Sequence, residues 1–465
     1  MRIHLIAIGG AAMHNLAIAL HNNHHTVTGS DDEIYNPSKN RLARFGLLPE
    51  KYGWFPEKIT SDLDIVILGM HARKDNPELK KARQLGLKIY SYPEFLYEHS
   101  KNKQRVVIAG SHGKTTTTSI ILHILKSNNI DFDYLVGAQI EGFDSMVRLS
   151  DAPLMVVEGD EYLSSPIDRR PKILHYRPHV TVLTGIAWDH INVFPTFENY
   201  KKQFLTYIKT IERSGIIYFY QHDTHVLDIL EKIKNKHFAA VGYEAFPAEV
   251  KNGSTYIFNE KNQKIKIGLL GKHNLENLNA AYLVCEKIGI TDQQFFDAIQ
   301  SFTGAAKRLQ LLKKTKTCHA FLDFAHAPSK VEATIKALKK QYPTRQLIAC
   351  LELHTFSSLN KNFITQYSQT MKAADKAIVY YSEHTLKMKK LPPIAPEEIK
   401  RAFGHKNIAV VTEPTRMLSI LKRFKWENKN LVLMTSGTFN GSIDPSGKQK
   451  SSGQRKGFLD SIFVI

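Results

Sequence analysis

The chain has 465 residues, 43% hydrophobic and 23% charged, a balance that excludes wholesale disorder, collagen-like repeats and a disulfide scaffold. At about 150 residues per domain, roughly three domains are expected. The formal charge of +19 is uneven: residues 301–465 hold 28 Lys/Arg against 11 Asp/Glu, so a basic last third faces nucleic acid, a membrane surface or acidic small substrates.

MRIHLIAIGG has an apolar stretch too short for a signal peptide and reads as a first β-strand ending in a glycine turn. MHNLAIALHN repeats apolar residues at helical spacing, and HTVTGSD and DIVILGM are further strands, the second buried on both faces. Strand, glycine turn, helix, strand begins a doubly wound α/β domain. The turn reads GGAAM and not GxGxxG, so it suits a plain tight turn as well as a dinucleotide site.

A second unit begins near residue 104 with the strand RVVIAG, the loop GSHGK and the helix TTTTSIILHILKSNN. APLMVVEGD and PHVTVLTGI are later strands, YIFNEKNQKIKIGLL is a hairpin turning at NQ, and LENLNAAYLVCEKIG is an amphipathic helix stopped by glycine. SFTGAAKRLQ reads as a linker. A third α/β unit follows: AFLDFAH, a helix from about Ser329 to Lys340, RQLIACLEL, ADKAIVYY, IAVV and LVLMTSG. The expected domains are 1–103, 104–303 and 304–465, with a mobile Gly/Ser/Lys-rich tail from about Gly441 whose apolar end, FLDSIFVI, has a docking place still to be found. No run approaches the ~18 apolar residues of a membrane span. Cys285, Cys318 and Cys350 lie far apart with no CxxC pair, which fits a reducing, cytoplasmic compartment and argues against a thiolate zinc site.

The sharpest signal is Gly110-Ser111-His112-Gly113-Lys114-Thr115, set between a buried strand and a helix. There, backbone N–H groups cradle phosphates, the lysine neutralises them and the hydroxyl reaches magnesium. The strict pattern GxxxxGK[ST] fails, because its first glycine would fall on Ile108. Glu158 ends the strand LMVVE, where a carboxylate can reach magnesium; Asp160 and Glu161 follow and read equally as a solvated acidic loop. His190, at the tip of TVLTGIAWDH, reads alone as a surface histidine; Asn274, opening a helix that contains Asn277, reads alone as an N-cap. Arg308, Asp323 and His326 open the third unit and singly read as surface charges.

In order along the chain, GSHGKTTTT, EGDEY, WDHINVFPTFENY, GKHNLENLNAA, AKRLQ and DFAHAP resemble the Mur ligase family, the ATP-dependent amide-bond ligases of peptidoglycan synthesis. The resemblance implies three domains: an N-terminal Rossmann-like domain for a UDP sugar, a central P-loop ATPase with a mostly parallel sheet, and a C-terminal Rossmann-like domain for the amine. Two branches are nearest: one adds L-alanine to UDP-N-acetylmuramate, the other the peptide L-alanyl-γ-D-glutamyl-meso-diaminopimelate. DEY after Glu158-Gly159, HYRP at His175–Pro178 and the MTSGTFNG segment resemble the peptide-adding branch. Gly159 departs from the usual alanine, and Leu353-His354-Thr355-Phe356 stands where that branch usually has an Arg-Ser-Asn-Thr stretch. Many family members carry a carbamylated lysine four residues after a tyrosine; here Phe204 follows Tyr200, as in the branch that dispenses with it.

The resemblance further implies roles by position. Gly110, Ser111, His112, Gly113, Lys114, Thr115 and Thr116 would hold the phosphates of ATP, and Thr115, Glu158 and His190 would bind Mg2+. His273, Asn274 and Asn277 would contact the adenosine, with Arg308, Asp323 and His326 reaching the nucleotide from the third domain. Lys114, His190 and Arg308 would carry catalysis. Gly9, Gly10, Ala11, Ala12, Met13, Ser30, Asp31 and His71 would hold UDP-N-acetylmuramate, and the basic third domain an acidic peptide or amino acid. The rivals are a folylpolyglutamate synthase, which would begin at the ATPase domain, and a basic nucleic-acid-binding NTPase, for which no motor motif or aromatic-interleaved patch is present. Neither nucleic acid nor membrane is therefore expected as a partner.

Overall fold

The computed structural model describes residues 1–140, 142–188, 193–234, 236–441, Leu459 and Ile462. It divides into two compact units. Residues 1–188, 193–244 and 277–299 make the first; residues 245–276 and 300–441, with Leu459 and Ile462, make the second.

The first unit holds two sheets. Strands β1 (Arg2–Ile6), β2 (Thr26–Ser30), β3 (Ile65–Leu68) and β4 (Lys88–Ser91) pair in parallel in the order β2-β1-β3-β4. Helix Ala11–Asn22 follows the glycine turn and buries Met13, Leu16, Ala17 and Leu20. The second sheet comprises β5 (Gln104–Ala109), β6 (Asp133–Leu135), β7 (Val147–Arg148), β8 (Leu154–Glu158), β9 (Val180–Leu183), β10 (Ile216–Tyr220) and β11 (Ala239–Tyr243). Its order is β11-β10-β9-β5-β8-β6-β7, parallel except for β7. Central β5 lies between β8 and β9, so the chain leaves its tip first to one side and later to the other. Open α/β sheets bind ligands in the crevice at such a reversal.

A polar seam ties the segment between the two sheets to the second sheet. The buried guanidinium of Arg105 donates to the carbonyls of Ser100, Lys101, Lys103, Tyr176 and Arg177 at 2.8–3.2 Å and pairs with Glu212 at 3.2 Å. Beside it the buried Asp133 carboxylate accepts from Lys103 (2.6 Å), His99 (2.9 Å) and Ser150 (2.6 Å), contacts that hold its pKa below the ordinary value against the opposing effect of burial.

The second unit also holds two sheets. Strands β12 (Ala248–Lys251), β13 (Ser254–Phe258) and β14 (Lys264–Ile267) form an antiparallel meander that includes the expected hairpin. The larger sheet has β15 (Gln310–Lys314), β16 (His319–Asp323), β17 (Gln346–Leu353), β18 (Lys376–Tyr381), β19 (Ile408–Val411) and β20 (Lys429–Met434). They lie in the order β15-β16-β20-β17-β18-β19, parallel except for β15. The inner strands are buried on both faces, which is why LIACL and LVLM are continuous apolar runs. The third-unit helix spans Pro328–Gln341.

Two expectations change. The segment SFTGAAKRLQ is no loose linker: Phe302, Ala305 and Leu309 are buried, and Leu309 N donates to Asp323 at 2.7 Å. Of the apolar C-terminal end, Ile462 is buried on the core of the second unit with Leu431, Leu433 and Phe439, and Leu459 packs alongside. The tail between Gly441 and Leu459 lies outside the described residues. No helix among the described residues is long and apolar enough to cross a membrane.

Candidate functional site

Loop 110–113 joins β5 to helix Lys114–Ser127. Its glycines are sterically required. Gly110 (φ +118°) and Gly113 (φ +81°) have left-handed backbones, and a Cβ would collide with Thr184 Oγ1 at the first and Asn277 Oδ1 at the second. No side chain caps the helix at Gly113, so its first-turn N–H groups point out of the loop. That is the arrangement that binds phosphate.

Lys114 is the cation at this mouth. Its ammonium donates to Gly110 O (2.5 Å) and to Glu161 Oε2 (2.7 Å). Burial opposes its charge, but Glu161, with Asp160 and Glu158 behind it, outweighs burial and raises its pKa above the ordinary value. Thr115 Oγ1 donates to Glu158 Oε1 (2.7 Å), and Gly137 N donates to Glu158 Oε2 (2.6 Å). Asp160 pairs with Lys172 at 2.6 Å, and its pKa falls to about 2: burial pushes it up, but the neighbouring ammonium prevails. The reading as a solvated acidic loop therefore gives way for Glu161, which is buried against Lys114, and holds for Asp160, whose side chain stays 42% exposed.

Behind Glu161 lies a group the sequence did not assign. Tyr200 Oη, on helix Phe197–Ile208, donates to Glu161 Oε1 (3.0 Å) and meets Ser111 Oγ at 2.9 Å. Ser111 Oγ in turn accepts from Ala187 N at 2.9 Å. Phe204 is fully buried edge-on to Tyr200, with ring centroids 5.2 Å apart. Asn277 accepts from Thr117 Oγ1 at 3.3 Å and so lies against the same helix. His190 lies outside the described residues.

The N-terminal glycine turn forms a second cradle. Gly9 N donates to Asp31 Oδ2 at 2.7 Å, and Ser30 is buried with no protein partner for its hydroxyl. Burial, with Asp32 adding, raises the Asp31 pKa from 3.8 to about 6. A raised carboxyl contributes stability that is fully present below pH 3.8 and lost as pH rises through about 6. Asp31→Asn should match wild type in urea-unfolding midpoint near pH 4 and become the more stable of the two above pH 6. A difference that is flat with pH would refute the assignment.

A cavity of about 330 Å³ runs from this turn to the phosphate loop. Gly10, Ala11, Ala12, Met13 and His71 line one end; Lys114 and Glu158 line the other. Gly9, Ser30 and Asp31 stand behind the turn and do not line it.

The second unit gathers His273, Asn274, Arg308, Asp323 and His326. Asn274 is not an N-cap: helix Lys272–Lys287 has already begun, and its amide donates back to Leu270 O at 2.8 Å. Burial lowers the pKa of His273, with nearby Arg308 adding and Asp323 opposing. The Asp323 carboxylate accepts from Leu309 N, Ala325 N and Thr334 Oγ1 at 2.7–3.1 Å, which fixes the segment carrying Arg308. The Arg308 guanidinium lies over the Phe324 ring at 5.1 Å, and His326 Nδ1 meets Phe324 O at 2.7 Å.

Comparison with known proteins agrees with this architecture. Residues 2–104 match the Mur ligase family catalytic domain, 108–285 the Mur ligase middle domain and 307–437 the Mur ligase glutamate ligase domain. The UDP-N-acetylmuramate–L-alanine ligase of Caldicellulosiruptor saccharolyticus is 33% identical over 386 residues, covering 81% of this chain and 82% of that one. The UDP-N-acetylmuramate–L-alanyl-γ-D-glutamyl-meso-2,6-diaminoheptandioate ligase of Haemophilus influenzae is 25% identical over 449 residues, covering 94% and 97%. The crystal structure of a murein peptide ligase from Psychrobacter arcticus superposes with a TM-score of 0.65 at 23% identity, over 95% of this chain and 97% of that one. The phosphate loop at the sheet reversal, its paired lysine and carboxylates and the matching of all three family domains lead to one conclusion: the chain belongs to the Mur ligase family, whose members are ATP-dependent amide ligases.

Proposed function

We propose that this enzyme joins the lactyl carboxylate of UDP-N-acetylmuramate to the amine of L-alanyl-γ-D-glutamyl-meso-diaminopimelate, using ATP. The carrying observation is the cavity that links the N-terminal glycine turn to Lys114 and Glu158. A nucleotide sugar held at the turn would present its carboxylate to the phosphate loop through that space. The peptide as donor is supported by EGDEY, HYRP and the basic excess of residues 301–465, and by a peptide-adding relative that aligns over nearly its whole length. The second reading, L-alanine as donor, is favoured by the 33% identity to an alanine-adding relative.

A carboxylate does not acylate an amine directly, because its leaving group would be oxide. Attack of a carboxylate oxygen on the γ-phosphorus releases ADP and gives an acyl phosphate. The amine then attacks the acyl carbon, phosphate leaves and the ammonium gives up its proton. Phosphoryl transfer asks the protein mainly for position and charge. The helix N-terminus and Lys114 supply both at the phosphates. Thr115 and Glu158 would hold magnesium; their oxygen donors meet at 2.7 Å and suit a hard cation. When bound, the metal neutralises phosphate charge. Asn277, lying against the phosphate-loop helix, would face the nucleotide; within the second unit His273, Asn274 and Arg308 are the residues that the family resemblance assigns to ATP, and Asp323 fixes the segment that carries Arg308.

The test is phosphate release from ATP and UDP-N-acetylmuramate with each donor supplied separately. One added charge-assisted contact is worth roughly 1.5–3 kcal/mol, so kcat/KM should favour the peptide by about 10–100-fold. That advantage should shrink as salt rises. Turnover of L-alanine without turnover of the peptide would establish the second reading.

A further inference from the structure

We propose that Glu161 is a positioning residue for Lys114, held in its working state by Tyr200 and Ser111. The inference rests on the ATP-dependent reading above and concerns the same site.

The hydrogen bonds of this cluster have one consistent direction. Ser111 Oγ accepts from Ala187 N–H (2.9 Å) and, because Tyr200 gives its one proton to Glu161, directs its own proton to Tyr200 Oη (2.9 Å). The Tyr200 proton is directed to Glu161 Oε1 (3.0 Å), and Lys114 donates to Glu161 Oε2 (2.7 Å). Glu161 thus accepts at both oxygens, from the end of one donor chain and from an ammonium. Glu161 and Tyr200 are 1% and 0% exposed, so water contributes little to holding either in place. A buried carboxylate stays ionised only with such donors.

The consequence falls on Lys114. Here Glu161 and Gly110 O fix the ammonium at the mouth of the loop before ATP arrives. Charge stabilisation that is already in place needs no reorganisation as charge develops. Both Glu161 oxygens are engaged by Lys114 and Tyr200, and its negative charge would oppose the phosphates in the ground state. Its removal should therefore impair the chemical step and not ground-state binding.

The variants are Glu161→Gln, the isosteric Tyr200→Phe, and the pair together. The readouts are kcat and calorimetric affinity for a non-hydrolysable ATP analogue with Mg2+. Glu161→Gln should lower kcat by about 10–100-fold, the usual effect of losing a group that orients another. Its analogue affinity should stay within about threefold of wild type or improve, the signature of an interaction expressed in the transition state. Tyr200→Phe should lower kcat less, and the double variant should be no worse than Glu161→Gln, because Tyr200 acts through Glu161. Equal losses in kcat and affinity, additive losses in the double variant, or an unchanged kcat would each overturn the proposal. If wild type releases no phosphate with either amine donor, the substrate reading fails by itself. Calorimetry on the same variants then decides this proposal, with retained affinity in Glu161→Gln supporting it and tenfold weaker binding overturning it.

Discussion

Replacing Lys114 by alanine should lower ligase turnover by about 10²–10³-fold while leaving a folded protein, the usual loss when a preorganised charge stabiliser is removed. The expectation follows from position. Lys114 is the first residue of the phosphate-loop helix, and its ammonium is held at the loop mouth by Gly110 O and Glu161. The truncation leaves the Glu161 carboxylate buried without its cation. It retains the Tyr200 hydroxyl and can take up a proton, so the fold has a way to absorb the change. Turnover by phosphate release, with circular dichroism and a thermal melt as folding controls, checks this. Near-wild-type turnover in a folded variant would remove Lys114 from the chemistry.

Gly113→Ala should weaken binding of an ATP analogue on the order of 10²-fold, the scale of a misplaced binding group. The position combines a left-handed backbone with a Cβ that would collide with Asn277 Oδ1, so the loop or Asn277 must move. Gly86→Ala is the matched control: its φ is +64°, but nothing lies within 4 Å of the new Cβ. It carries only the backbone cost, about 1 kcal/mol, and should leave binding unchanged. Calorimetric titration of both variants separates loop geometry from general strain. Equal effects at the two sites would refute the argument.

The α/β alternation and the phosphate loop were legible because their signals are local. Continuous apolar runs mark strands buried on both faces, and GSHGKT carries its glycines at the positions where the backbone is left-handed. The partnership of Glu161 was not legible. It depends on Tyr200, 39 residues onward, whose hydroxyl reaches back to Glu161, and an acidic stretch after a strand looks solvated until that partner is placed. Asn274 illustrates the opposite error: its residue type suited an N-cap, but the helix begins at Lys272 and the amide turns back to Leu270 O. The segment 301–310 misled because small residues resemble a linker, whereas Phe302, Ala305 and Leu309 supply enough apolar surface to pack. Membership of the second unit by residues 245–276 is likewise invisible to composition.

The seam at Arg105 bears on how far this molecule is modular. A division of the chain by eye would cut near residue 103, between the helix Tyr92–Ser100 and the strand before the phosphate loop. Yet three of the five carbonyls that receive the Arg105 guanidinium, those of Ser100, Lys101 and Lys103, come from the upstream side of that cut. The buried Asp133 carboxylate would lose His99 and Lys103 at the same stroke. A fragment beginning at residue 104 would therefore carry a buried cation short of acceptors and a buried anion short of donors, each unfavourable by itself. The ATP-side half of the first unit is not a transplantable cassette. In chimaeras between relatives, the junction belongs in an exposed loop away from 99–105, with Asp133, Ser150 and Glu212 inherited from the same parent as the linker.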